Sequence, residues 1–203
     1  MKTEPNIMIS DQIQQALTDQ IIRGQLQPDE KLRQDHIAKT FNTSHVPVRE
    51  ALLRLEARGL AVSIPRRGVR VAPFHPEGIL EVKAMRLALE PVALRHAIPK
   101  MTPNDLNKAK KAQRACDDAT DLISWEKTNR QFHSAILVTC AMPRLLLAIY
   151  DLQILSARHL LETWRSTWEE RTDRDHTAII NAIMRKDSDA AVSVLKKHLQ
   201  RLG

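Results

Sequence analysis

The chain has 203 residues, enough for two domains of modest size, and carries 31 Lys+Arg against 24 Asp+Glu. Its net charge of +7 favours a polyanionic partner, although an acidic surface or membrane would attract it too. No run is long and apolar enough to span a bilayer, MKTEPNIMIS lacks an apolar signal core, and Cys116 and Cys140 have no metal-type spacing, so a cytoplasmic chain with reduced thiols is expected.

Ser10 is placed to cap a first helix over 11–23, in which Ile13, Leu17 and Ile21 recur every four residues before Gly24 and Pro28. Ile37, Ala38 and Phe41 put apolar groups on one face of a short second helix. Asn42 suits the tight turn that follows, and Thr43 or Ser44 supplies the next N-cap. Pro47 falls in the first turn of the third helix, where its missing N–H costs nothing. Val48, Leu52 and Leu55 face the core, and Gly59 stands where a C′ glycine belongs. Leu60 to Ile64 and Val69 to Ala72 are short apolar strands around Pro65-Arg66-Arg67-Gly68. Helix, turn, helix and basic hairpin together form a winged helix-turn-helix over residues 1–73.

The polar residues of that third helix point away from the core. His45 and Arg49 share a face near its N-terminus, the end that a recognition helix presents to base edges. Arg54 and Arg58 extend this basic surface, and Arg66, Arg67 and Arg70 add the wing. Six arginines stand between Ser44 and Val71 against Glu50 and Glu56, which points to double-stranded DNA.

Pro73 to Pro76 reads as a linker, and residues 77–203 show only helical periodicity. The expected helices are 77–98 with a kink at Pro91, 103–118, 121–139, 144–165, 172–185 and 188–201. Thr102 caps a helix with Pro103 at its first position, Pro143 opens another, and Asp187 or Ser188 caps the last. The fold class expected is mainly α, a winged helix-turn-helix followed by an all-α bundle.

Asn129 and His133 are four apart and project from one helical face. His176 and His198 each lie eleven residues from Asp187, so an antiparallel hairpin turning there brings the imidazoles to one height. Three histidines and an amide oxygen converging inside a bundle suit a divalent metal ion. On spacing alone separate core or surface histidines are the readier reading, the one given to His36, His75, His96 and His159. Arg86 either pairs with Glu90 at i+4 or points inward as a carboxylate anchor.

The combination resembles the GntR family of bacterial winged-helix regulators, and within it the FadR subfamily, whose second domain is the FCD effector-binding domain. The first domain carries the resemblance in IIRGQLQPDEKL, HIAKTFNTSHVPVREALLRLEARGL and RRGVRV; the second carries it in MRLALEP, NRQFHSAI and HTAIINAIMRKDSDAAVSVLKKHL. It implies operator contacts at Ser44, His45, Pro47 and Arg49, with Arg67 and Gly68 at the wing tip. It also implies metal ligands at Asn129, His133, His176 and His198, and an effector-lining role for Arg86. Two positions depart from the family pattern. His45 stands where arginine is usual, which shortens a major-groove contact. Asn129 stands where aspartate is frequent, which removes a formal charge from the metal site.

The reading is a homodimeric, ligand-responsive regulator, more readily a repressor, binding a palindromic operator and no membrane. A divalent ion (zinc, nickel or manganese-like) and Arg86 hold a small organic-acid effector. The alternatives are a metal-dependent hydrolytic enzyme using the three histidines, although no HExxH is present, and a regulator with a metal-free effector pocket.

Overall fold

A computed structural model describes residues 8–170 and 172–201. The N-terminal stretch read for a signal core lies largely outside them, as do residues 202–203. The chain divides into two compact units, Met1–His75 and Pro76–Gly203.

The first unit contains α1 (Ile9–Ile22), α2 (Gln34–Thr40), α3 (His45–Ala57), β1 (Ala61–Ile64) and β2 (Gly68–Val71). Ile13, Leu17 and Ile21 of α1 are buried together with Val48, Leu52 and Leu55 of α3, as their spacing requires. The α2–α3 turn closes as expected of Asn42, which adopts a φ of 48°. Asn42 N–H donates to the Lys39 carbonyl at 3.2 Å and Thr43 N–H to the Ala38 carbonyl at 3.0 Å, the paired bonds of a Schellman end. The same pair ends α3, where Gly59 at φ 71° lets Leu60 N–H reach the Leu55 carbonyl at 2.9 Å. Buried Leu60 then enters β1.

Two expected caps differ. Ser10 is not a cap: α1 begins at Ile9 with Met8 before it, and Ser10 is buried inside the first turn. The Met8 carbonyl already accepts from the N–H groups of Asp11 and Gln12, and Asp11 puts negative charge beside the open amides of that turn. Ser44 does occupy the N-cap of α3, with extended backbone, but its side chain accepts no capping bond.

The wing pairs Ala61 with Val71 and Ile64 with Gly68, antiparallel. A short edge that the sequence does not announce extends it: Leu32 N–H donates to Val69 carbonyl and Val71 N–H to Glu30 carbonyl, both at 2.9 Å. At the tip, Arg67 N–H donates to the Ile64 carbonyl at 3.0 Å, with Pro65 second in the turn and Arg66 third at φ 64°. This is the pattern of a type II turn, with arginine where glycine is usual.

The second unit is all helical: α4 (Gly78–Ala97), α5 (Pro103–Asp117), α6 (Leu122–Leu137), α7 (Pro143–Thr163), α8 (Arg174–Met184) and α9 (Ser188–Arg201), with 3₁₀ turns at 98–100 and 138–140. Among the described residues the fold is therefore mainly α with one two-stranded sheet, the class the sequence implies. Leu94, Phe132, Ile136, Ile149, Ile179 and Leu195 belong to one buried cluster. The cap of α5 is a full capping box, Asp105 N–H on Thr102 Oγ1 and Thr102 N–H on Asp105 Oδ2. Asp187 caps α9 through the Ala190 N–H at 3.0 Å. α4 continues through the buried Pro91, and α6 gives way to a 3₁₀ turn after Leu137. Among the described residues no helix is long and apolar enough to cross a membrane.

Candidate nucleic-acid interface and metal centre

The N-terminal end of α3 presents exposed Ser44, His45 and Arg49, with Pro47 half-buried behind them. Arg49 is one turn along from His45, and both are exposed where Val48, Leu52 and Leu55 of the same helix are buried. His45 Nε2 is 3.5 Å from the exposed Asp35 Oδ1, a pairing that draws the imidazole toward α2. Arg66, Arg67 and Gly68 are exposed at the wing tip.

The basic surface is narrower than the arginine count implies. Arg54 pairs with Asp11 and so ties α3 to α1. Arg70 donates from Nη1 to the Asp29 carbonyl at 2.7 Å and so fastens the wing to the segment before α2. Sequence spacing could not separate these two from Arg49, because the partners come from distant parts of the chain.

In the second unit four helices converge on one buried polar cluster. α6 supplies Asn129 and His133, α8 supplies His176, α9 supplies His198, and α4 supplies Arg86 and Glu90; all six are buried. The α8–α9 hairpin turns at Asp187 and brings the rings of His176 and His198 to 4.7 Å. His133 Nε2 is 3.2 Å from His198 Nε2. One ring nitrogen from each of the three histidines lies within 4.8 Å of the others.

Glu90 decides how His133 faces this cluster. Its Oε2 is 2.9 Å from His133 Nδ1, and its Oε1 accepts from Arg86 Nε at 2.7 Å. Burial alone would raise the Glu90 carboxyl, but the Arg86 guanidinium and His133 outweigh it and hold the group well below the usual carboxylate range. An ionised Glu90 accepts a hydrogen bond from the His133 Nδ1–H, which turns the Nε2 edge of the ring toward His198. A proton on one of the two Nε2 atoms, or a cation, must then lie between them. Burial, reinforced by the neighbouring imidazoles, pushes His176 and His198 far below the ordinary histidine range, toward the neutral form that metal binding requires.

Among the described residues several buried polar atoms have no hydrogen-bond partner. Both ring nitrogens of His176 and the Oδ1 of Asn129 make no hydrogen bond. Unpaired polar atoms of this kind are costly inside a fold. Two neutral imidazoles, one carboxylate-buttressed imidazole and an amide oxygen fit a divalent ion of the zinc, nickel or manganese kind.

Arg86 reaches into this cluster from α4. It pairs with Glu90 at i+4, and it is buried, reaching Ser156 Oγ of α7 at 2.9 Å. Glu90, Ser156 and Gln153, whose Nε2 is 3.4 Å from Glu90 Oε1, were not singled out as site residues. Asp173 also borders the cluster, without a motif in the sequence that marks it as a site residue. It caps α8, and its Oδ2 lies 3.6 Å from His176 Nε2 and 3.6 Å from His198 Nδ1. Burial raises its carboxyl, only partly opposed by the N–H groups of His176 and Asp175. Its place three residues before His176, at a helix start, was the available signal.

Comparison with known proteins fits both units. Residues 9–71 match the family described as bacterial regulatory proteins, gntR family, and residues 81–201 match the FCD domain. The HTH-type transcriptional repressor GlaR of Escherichia coli is 29% identical, with 90% of this chain and 89% of the relative covered. An uncharacterized HTH-type regulator, BphR of Paraburkholderia xenovorans, is 25% identical over 92% of this chain and 80% of its own. Among solved structures, E. coli McbR/YncC superposes with a TM-score of 0.84 at 24% identity, covering 96% of this chain and 95% of that one, a likeness of fold. A GntR family member from Pseudomonas syringae gives 0.58 at 29% identity, covering 98% and 84%.

Proposed function

This chain belongs to the GntR family of bacterial regulatory proteins and carries an FCD domain, and from that premise we propose that it is a ligand-responsive transcriptional repressor whose second unit senses a small organic acid through a bound divalent metal. Its relatives are named HTH-type transcriptional repressors and regulators, which supports a non-enzymatic regulator over the hydrolase alternative. The finer placement in the FadR subfamily, the homodimer, the palindromic operator and a cytoplasmic location belong to the proposal.

The observation that carries the sensor reading is the set of buried, unpartnered donors of His176 and Asn129 beside the His133–His198 pair. His133, His176, His198 and Asn129 would hold the ion. The metal, when bound, supplies a cationic anchor for a carboxylate oxygen. Arg86 adds a charge-assisted hydrogen bond from α4, and Glu90 keeps both Arg86 and His133 oriented. In the first unit Arg49, His45, Ser44 and Pro47 approach base edges while Arg67 and Gly68 approach the backbone. Effector binding then shifts the population of operator-competent dimers, since the effector favours one of two states.

The test is metal analysis of the purified full chain, followed by operator binding titrated with a panel of small mono- and dicarboxylates. Stoichiometric metal and release of operator by one class of acid support the reading. A chain that takes up no divalent metal yet responds to the same acid supports a metal-free pocket instead.

A further inference from the structure

Three acidic side chains border the imidazole cluster, and two of them have a guanidinium of their own. Glu90 takes Arg86 at 2.7 Å, and Asp175 Oδ2 takes Arg201 Nη1 at 2.7 Å. Among the described residues no arginine or lysine pairs with Asp173. Its Oδ1 is committed to the cap of α8, accepting the N–H of Asp175 at 2.9 Å and of His176 at 3.2 Å. Those bonds aim Oδ2 at the imidazoles, 3.6 Å from His176 Nε2 and 3.6 Å from His198 Nδ1. That spacing is too long for a hydrogen bond. The spacing to His176 Nε2 is normal for two donors sharing one ion: with bonds of about 2.0–2.2 Å, two donors lie up to about 4.4 Å apart; His198 would meet that ion through the Nε2 that faces His133, and its Nδ1 edge faces Oδ2 from outside the donor set. His176 is fully buried and its Nε2 has no hydrogen-bond partner, so an independent unpaired donor faces the same space.

We propose that Asp173 is a direct ligand of the ion, its Oδ2 binding beside His176 and supplying the anionic oxygen that the neutral Asn129 amide does not. This rests on the metal reading above and deepens it. Among the described residues, Asp173 is the one bordering carboxylate without a guanidinium, and His176 is the imidazole with both nitrogens unbonded; one cation satisfies both. A carboxylate among the donors lowers the net charge of the filled site from +2 to +1, since the remaining donors are neutral. It also tilts the site toward harder divalent ions and away from soft ones such as Cu(I).

The test uses the full chain with cobalt(II) as probe. Asn retains a strong N-cap preference, so Asp173→Asn removes charge while keeping α8 capped. Cobalt affinity is measured by competition with a chromophoric chelator, and coordination by the visible absorption of the complex. Asp173→Asn is expected to weaken binding beyond the roughly 10–100-fold that loss of an outer partner costs, with an altered visible spectrum. Asp173→Cys keeps the test decisive if Asp173→Asn folds poorly: a thiolate there should add a near-ultraviolet thiolate-to-cobalt charge-transfer band absent from the wild type. Wild-type affinity in Asp173→Asn overturns the proposal, as does weakened binding with an unchanged spectrum, or a cobalt-loaded Asp173→Cys without the band. Those results leave the metal reading standing. Failure of the wild type itself to bind cobalt overturns the metal reading first.

Discussion

His133 and His198 lie 65 positions apart in sequence, yet their Nε2 atoms face each other across 3.2 Å. Glu90 holds the far side of His133 and so fixes which edge of the ring faces His198. Two bare lone pairs at this distance repel. The arrangement is stable only with a proton or a cation between them, and that requirement makes the cluster sensitive to what occupies it.

Metal should therefore raise stability, because it binds the folded bundle and not the open chain. At a free concentration about 100 times its dissociation constant the gain is about 2.7 kcal/mol. Thermal melts with and without a chelator measure it. His176→Ala should lose both the metal and its stabilisation while keeping operator binding, since the exposed face of α3 belongs to the other unit. Full metal occupancy in His176→Ala would remove that residue from the site.

Arg49→Ala should cost about 1–3 kcal/mol in specific operator binding if the guanidinium reads a base. The comparison is made at one salt concentration, on the operator and on unrelated duplex. Equal loss on both would assign Arg49 to phosphate contact alone.

Arg66 and Arg67 stand exposed on the turn at the wing tip. Replacing both with alanine should flatten the salt dependence of binding, the slope falling by about 0.9 for each phosphate that the wing no longer neutralises. An unchanged slope means that the wing does not touch the duplex.

Arg54 gives the contrasting expectation. Its pair with Asp11 joins α3 to α1 and is partly exposed. Arg54→Ala should cost only about 0–1 kcal/mol of stability and leave the salt slope unchanged. A slope reduced by about 0.9 would show that Arg54 meets phosphate after all.

Lys186 sits at φ 55° in the turn between α8 and α9, where its N–H closes onto the Ile183 carbonyl at 2.9 Å. A lysine in this left-handed conformation costs about 1–2 kcal/mol relative to a residue without a Cβ. Lys186→Gly should raise the melting temperature of the metal-free chain, because the turn that aligns His176 with His198 is relieved of strain. A lower melting temperature would mean that the entropy of the freer unfolded chain dominates.

What the sequence determined by itself are the features written in local spacing. The four-residue repeat of Ile13, Leu17 and Ile21 places one face of α1 in the core. Asn42, Gly59, Thr102 and Asp187 mark helix ends because turn and cap geometry depends on neighbours within a few residues. Even the meeting of His176 and His198 was legible, since a hairpin with its turn near Asp187 fixes the height of both.

What only the tertiary structure decided are the pairings between distant segments. Nothing in the spacing of Arg54 or Arg70 distinguishes them from Arg49, yet Asp11 and the Asp29 carbonyl take them into the fold. Glu90 reads locally as the i+4 partner of Arg86; its grip on His133 exists because α4 packs beside α6. Asp173 reads locally as a helix cap, and its second oxygen faces two imidazoles only because α9 returns antiparallel to α8. Local periodicity says which face of a helix is buried. Which charged group finds a partner there depends on the helix that arrives from elsewhere, and that follows from packing of the whole bundle.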